Sequence, residues 1–156
     1  MNRPPQPRLV PKLVAKPLRA GERDALALAL VKAGLPADDV DAPGRLFFRF
    51  ETVNQLLAGY GGLEVLGDIA LLRSVVTLPP LRRRGIGRAI VLGLETEAAL
   101  RRCDAVYLLT TDAQEFFGKL GYRKCARAGV PAAIRGTTQF ATLCPATADV
   151  LVKRIG

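Results

Sequence analysis

Apolar positions along this chain fall into two kinds of block. Some are short, dense runs rich in β-branched and aromatic residues. Others are longer stretches in which apolar residues recur every three to four positions. The first dense run, LVAKPL (13–18), predicts a short strand, and Pro17 confines it to a sheet edge. The segment 21–33 (GERDALALALVKA) predicts a helix with Glu22 and Asp24 in the first turn, Lys32 near the end and Gly34 as its stop. A turn-rich acidic link, PADDVDAP (36–43), follows. Three strands come next: RLFFRFE (45–51), a glycine-interrupted stretch over 53–67 with a bulge near Gly59–Gly62, and the leucine- and valine-rich 68–78. Gly67-Asp68 marks a hairpin turn, so the three strands predict an antiparallel meander with 68–78 as a central strand.

After Pro79-Pro80 and the loop 81–87 the pattern turns helical over 86–102. Its apolar stripe is Ile86, Ile90 and Leu94, with Ala89 and Gly93 beside it; Arg88, Glu95 and Arg102 fall on the opposite face. AVYLLTT (105–111) predicts a buried strand. A short helix over 113–120 follows, capped by Thr111 or Asp112 with Gln114 or Glu115 closing a capping box, and stopped by Gly121. Residues 122–128 predict a strand, 130–146 mixed turns and helix, and 150–155 a last strand. The fold class is therefore α/β: a mixed sheet in which an antiparallel meander leads into a βαβ unit, with helices on both faces.

The chain has 156 residues, one domain's worth, read as a basic, proline-rich tail over 1–12 and a single domain over 13–156. Its longest apolar runs are about ten residues, too short to span a bilayer. The first 20 residues carry no apolar h-region, so no secretory leader is expected. Cys103, Cys125 and Cys144 are scattered, which reads as reduced thiols in a cytoplasmic protein. Histidine is absent, and no CxxC spacing occurs. That excludes Ser-His and Cys-His nucleophiles and leaves no metal site to expect. The net charge of +9 favours an anionic partner. The basic residues are dispersed and no stacking-aromatic motif accompanies them, which argues against nucleic acid.

One stretch concentrates the charge where chemistry can use it. In VVTLPPLRRRGIGR (75–88) a strand ends in prolines, an arginine–glycine loop follows, and a helix starts at once. Glycines let backbone N–H groups converge on an oxyanion, the helix N-terminus adds its positive end, and arginines add bidentate donors. Phosphate or pyrophosphate is the natural guest. It is neither a Walker loop nor a dinucleotide fingerprint, since no GK[ST] or GxGxxG is present.

These residues resemble the GCN5-related N-acetyltransferases. Arg82-Arg83-Arg84-Gly85-Ile86-Gly87 matches that family's [RQ]-x-x-G-x-[GA] signature, Ser74-Val75-Val76-Thr77 its cofactor strand, and 113–122 (AQEFFGKLGY) its A-x-x-F-Y-x-K-L-G-F segment. The resemblance implies an acyl-CoA N-acyltransferase fold and acetyl-CoA as co-substrate. It implies that main chain at Val75, Val76 and Thr77 holds the pantetheine arm. The pyrophosphate would lie on backbone N–H groups at Arg82, Arg83, Arg84, Gly85, Ile86, Gly87 and Arg88, with Thr110 and Phe116 completing the cofactor side. A narrower likeness, on Leu72-Arg73-Ser74, Leu108-Leu109-Thr110-Thr111, Phe116-Phe117 and the stretch from Ile134-Arg135 to Pro145, is to a subgroup found with arsenic-resistance genes.

The chain departs from the family at Phe117, where a tyrosine would protonate the leaving thiolate, and at Thr110, where asparagine is frequent. For the base, the carboxylates Glu64 and Glu51 are the candidates beside water, with Glu64 preferred; Tyr107 and Tyr60 are candidate proton donors. On the acceptor side Arg73 and Ser74, facing opposite ways on their strand, together with Phe117 and Arg135, are candidates for binding a small primary amine. The alternative for Arg73 is pairing with a carboxylate of the protein. An arginine could also clamp an anionic group of an amino-acid-like, arsenic- or phosphinate-containing acceptor. Cys144 is excluded as an arsenic ligand, since converging thiols are lacking. A non-catalytic CoA-binding sensor and a basic nucleic-acid-binding module are the competing functions, and a homodimer is left open.

Overall fold

The computed structural model describes residues 11–79, 85–143 and 147–156. The 1–12 tail, the arginines of the 81–87 loop and Cys144 therefore lie wholly or largely outside the described residues. The chain runs β1 (Leu13–Pro17), α1 (Arg23–Lys32), β2 (Arg45–Thr52), β3 (Leu57–Leu66), β4 (Ile69–Thr77), α2 (Ile86–Leu100), β5 (Ala105–Thr110), α3 (Gln114–Gly118), β6 (Arg123–Cys125), α4 (Ala132–Arg135) and β7 (Asp149–Arg154). The strands form one seven-stranded sheet in the order β1-β2-β3-β4-β5-β7-β6. Every pairing is antiparallel except β4 with β5. The mixed sheet and its meander are as the pattern predicts, with β1 at an edge and β4 in the middle.

Two faces of the sheet are covered for different reasons. On one, the α2 stripe of Ile86, Ile90, Val91, Leu94 and Ala98 packs on Phe48, Phe50, Leu63, Leu72, Val106 and Leu108. Glycines make this close approach possible: a Cβ on Gly59 would stand 2.2 Å from the Val76 carbonyl oxygen and 2.8 Å from Ile90, and one on Gly61 2.7 Å from Leu94. On the other face the core is divided. Leu26 and Leu30 of α1 cover Phe47, Tyr60 and Val76, while Val130 and Ile134 near α4 cover Leu71 and Val150.

Two local expectations are corrected and a third is extended. Glu95 does not share the solvent face of α2: it is buried, accepting hydrogen bonds from the Tyr122 hydroxyl at 3.0 Å and Lys153 Nζ at 2.8 Å. Partners on β7 and just before β6, distant in sequence, satisfy a carboxylate that its helix alone would leave in water. The α3 cap is not Thr111 or Asp112. Thr110 Oγ1 accepts from the backbone N–H of Ala113 at 3.0 Å, so the strand's last residue satisfies the helix start. The bulge expected near Gly59–Gly62 is present on β3, where Phe50 pairs with Gly59 and Glu51 with Leu57 so that Ala58 is the extra residue, and a second bulge lies on β4 opposite Gly61. Tyr60 pairs with Val76 and Gly62 with Arg73, so Ser74 and Val75 together oppose one glycine.

Candidate active site

The parallel pairing of β4 with β5 covers only Ile69–Leu71 against Ala105–Tyr107. Both strands continue, β4 to Thr77 and β5 to Thr110, without pairing to each other. The sheet therefore opens into a cleft of about 300 Å³. Its walls include β4 residues 72–77, Leu108–Thr110, Asp112, Phe117, Gln139 and the Ala33–Pro36 turn after α1. At the cleft the β4 edge presents unpaired peptide groups, which suit a ligand that can itself hydrogen-bond like a strand.

The β4 bulge shapes this wall. Ser74 adopts φ +61°, a left-handed conformation uncommon for a residue with a side chain. With that turn, Arg73 and Ser74 do not face opposite ways as a regular strand would have them: Arg73 Nε donates to Ser74 Oγ at 3.0 Å. The rest of the Arg73 guanidinium is bidentate on Asp39, with both nitrogens 2.5 Å from its carboxylate oxygens. Arg45 joins from β2, with Nε 3.2 Å from Asp39 and 3.4 Å from Glu64. Burial alone would raise the Asp39 carboxyl, but hydrogen bonds and charge from Arg73, then Arg45, hold it below its usual range. Glu64 goes the other way: burial pushes it up against the pull of the same two arginines, and its Oε2 has no hydrogen-bond partner.

A second hollow, of about 340 Å³, adjoins the first across Val75 and Thr77. Gly85, Ile86, Gly87 and Arg88 of the α2 start, with Phe116, line the rest. Gly85 caps α2 at φ +74°, and a Cβ on Gly87 would sit 3.4 Å from the Phe116 ring. This opening of α2 thus carries little side-chain bulk toward the hollow, which suits an anion lying on backbone N–H groups.

The structure brings together Arg73, Ser74, Val75, Val76, Thr77, Gly85, Ile86, Gly87, Arg88, Thr110, Phe116 and Phe117 around these two hollows. Arg82, Arg83 and Arg84 lie outside the described residues. Three candidates stand elsewhere. Arg135 donates to the carbonyls of Val130 (2.9 Å) and Ala128 (3.1 Å), tying its own turn together. Tyr107 sits in the three-residue seam opposite Leu71 and packs with the α4 cluster, where burial raises its phenol. Glu64 is in the wall behind the cleft, paired in register with Leu71, several positions before Val75. Of the alternatives, Glu51 is held below its usual range by its bond to Lys16 at 2.6 Å, and Tyr60 packs under α1.

The sequence pattern did not single out Asp39, the counter-ion of Arg73, or Gln139, which is buried in the cleft wall. Asp39 had a signal, since an arginine inside an apolar strand demands a carboxylate; nothing said which one. Among the described residues no group of His, Cys, Asp and Glu could hold a metal ion, and no helix is long and apolar enough to cross a membrane.

No curated protein matches the chain. Solved structures do. A GNAT-family acetyltransferase from Staphylococcus aureus Mu50 shares 15% identity over 93% of this chain and 100% of its own, with a TM-score of 0.73. A Mycobacterium tuberculosis protein solved in complex with CoA shares 22% identity over 91% of this chain and 99% of that one, at 0.71. The ribosomal-protein-S18-alanine N-acetyltransferase of Escherichia coli shares 18% over 92% and 94%, at 0.68. These likenesses show the fold. The family model for the acetyltransferase (GNAT) family matches residues 19–122, about two thirds of the sequence, and the chain belongs to that family.

Proposed function

We propose that this enzyme transfers an acetyl group from acetyl-CoA to the primary amine of a small molecule in the cytoplasm. The observation that carries the reading is the β4 edge, unpaired with β5 beyond Leu71 and sharing a hollow with the glycine-capped start of α2. Main chain at Val75–Thr77 would hold the amide-bearing arm as an added strand, and Gly85–Arg88 the diphosphate, with Arg82–Arg84 adding charge. Bound there, acetyl-CoA supplies a thioester: the C–N bond forms, the C–S bond breaks, and the amine loses a proton.

The residues then divide the work. The β4 bulge, tied down through Ser74 and Arg73 to Asp39, fixes where the backbone meets the acyl group. Phe117 forms an apolar wall, edge-on to Tyr122 at 5.5 Å. It has no proton to give, and the Tyr122 hydroxyl is committed to Glu95, so the sulfur leaves as a thiolate, which a CoA thiol is acidic enough to do. The amine proton goes to water and then to Glu64, whose raised pKa and orphan oxygen suit a base but whose place behind Arg73 excludes direct contact. The arsenic- or phosphinate-bearing acceptor that the resemblance implies would call for a free guanidinium; Arg73 and Arg135 both donate within the protein, so the reading extends only to the amine.

Calorimetry with acetyl-CoA, followed by an acetyl-transfer screen over amines, tests the reading. Binding with turnover on an amine supports it, and binding without turnover over a broad panel favours a sensor. Salt-dependent DNA retention without acetyl-CoA binding favours a nucleic-acid module. Glu64→Gln lowers turnover by about 10²–10⁴-fold if Glu64 takes the proton. Near-normal turnover would leave that role to water alone.

A further inference from the structure

One buried polar cluster takes no part in the chemistry above. Glu95 is buried on α2, the helix that supplies Ile90, Val91, Leu94 and Ala98 to the core. Its Oε2 accepts from the Tyr122 hydroxyl at 3.0 Å and its Oε1 from Lys153 Nζ at 2.8 Å. Lys153 Nζ also stands 5.7 Å from the centre of the Tyr122 ring. Burial, then the Glu95 charge, pushes the Tyr122 phenol above its usual range, so the hydroxyl keeps its proton and stays the donor. Cohesion alone does not call for these groups, because well-packed apolar residues often replace a buried ion pair without loss of stability. A fully paired network contributes direction instead: it rigidifies one arrangement of the elements it joins.

Those elements lead to both hollows. Tyr122 follows α3 after the Gly121 turn. Its backbone N–H donates to the Phe117 carbonyl at 3.1 Å, and the Phe117 ring meets its ring edge-on at 5.5 Å. Phe117 lines the cleft. Phe116 packs edge-on against Phe117 at 5.0 Å and lines the second hollow, where a Cβ on Gly87 would lie 3.4 Å from it. Gly87 and Glu95 belong to the same helix. The contacts thus close a circuit, from the α2 start through Glu95, Tyr122, Phe117 and Phe116 back to the α2 start. Within it α3 is a helix of five residues, too short to hold its own place.

We propose that Tyr122 is a positioning residue for the cleft: its bond to Glu95, seconded by Lys153, sets the α3 turn against α2 and so fixes where Phe117 and Phe116 stand. The consequence for catalysis rests on the acetyl-transfer reading; the placement of α3 does not. The aromatic wall limits the room beside the β4 edge, so loosening it shows first as lost discrimination between acyl groups. A ratio of two substrates is read from folded enzyme alone, and how much of a variant folds does not move it.

The experiment compares Tyr122→Phe, Glu95→Leu and the two together in the full chain. Each single variant leaves a polar partner stranded. The pair leaves only Lys153, whose side chain is 23% exposed and reaches water, so its denaturant midpoint should return toward that of the wild type. In all three, the ratio of kcat/KM for acetyl-CoA over butyryl-CoA should fall by about threefold or more. Hydrogen exchange at the Phe117 amide, which donates to the Ala113 carbonyl, should quicken by roughly tenfold while the α2 amides hold. Glu95→Gln still offers Tyr122 an oxygen and should keep both readings at wild type. An unchanged ratio or unchanged exchange in the pair would overturn the proposal, since the bond would then serve cohesion alone. So would a Glu95→Gln enzyme that behaves like Glu95→Leu. If the wild type neither binds nor turns over acetyl-CoA while exchange quickens as expected in the variants, the transfer reading falls and the placement of α3 stands.

Discussion

The two edges of β4 share one strand and have opposite fates. Toward β3 it is paired at seven positions, from Ile69 opposite Leu66 to Thr77 opposite Gly59. Toward β5 it is paired at three. On the closed edge, Gly59, Gly61 and Gly62 leave no room for a side chain against Val76, α2 and Phe47. The open edge keeps its peptide groups free. Catalytic folds need both at once: an edge that can accept a ligand's hydrogen bonds, and a backing rigid enough that the accepting groups do not drift. The bulge at Ser74–Val75 is where one requirement hands over to the other.

The comparison can be broken hardest at its anchor. Asp39→Asn leaves the buried Arg73 charge with only Glu64, at 3.9 Å, to meet it. Denaturant unfolding should show a loss of about 3–5 kcal/mol. The pH dependence gives a second reading. Asp39 titrates lower in the folded protein, so its stabilisation is present above the unfolded carboxyl pKa of about 3.9 and is lost as pH falls through the folded value. Glu64, raised by burial, has the reverse sign: it costs stability above its folded pKa, and the cost fades as it protonates on acidification. In Asp39→Asn the first slope should vanish and only the second remain.

The closed edge itself is tested by Gly59→Ala. Its Cβ would press on the Val76 carbonyl. We expect about 1–3 kcal/mol of destabilisation from overpacking and, because Val76 lies on the strand proposed to hold the cofactor, weaker acetyl-CoA binding; unchanged affinity would show that the two edges are mechanically independent. On the open side, Gly85→Val puts a β-branched residue at φ +74°. The strain costs about 1–2 kcal/mol, and acetyl-CoA affinity should fall at least about tenfold. Unchanged affinity would sink the diphosphate assignment. Phe117→Tyr should do least, changing the rate by less than about tenfold, or about 1.4 kcal/mol of barrier. A hundredfold gain would mean that thiolate protonation was limiting.

What was legible in the sequence follows the range of the interaction that decides it. Strands β2 to β4, helix α2 and the turn at Gly67 are written in local periodicity and glycine placement, and their bounds come within a few residues. The hollows beside β4 are legible for the same reason, because backbone at a strand end and a helix start lines them. Charge pairing across the sheet was not. Asp39 sits in an acidic link among Asp38 and Asp41, with nothing local to say which carboxylate turns inward to Arg73. Glu95 reads as solvent-facing until Tyr122 and Lys153 arrive from further along the chain. Gln139 lies in an irregular stretch with no periodicity to flag it. Ser74 read as an ordinary strand residue because a bulge depends on the partner strand's register, which one strand's sequence does not contain.

The three-pair seam between β4 and β5 also has a consequence for how the chain is made. Strands β2 to β4 can assemble as consecutive hairpins as soon as they leave the ribosome. The strand that covers the far edge of β4 begins only at Ala105, after the whole of α2. During that interval nascent protein carries a bare, leucine- and valine-rich strand edge, the kind that recruits other chains. Even after β5 docks, the stretch from Leu72 to Thr77 remains uncovered by it. The edge proposed to take a ligand as an extra strand is thus also an exposure to aggregation, and a ligand able to occupy it should raise the yield of folded protein during refolding.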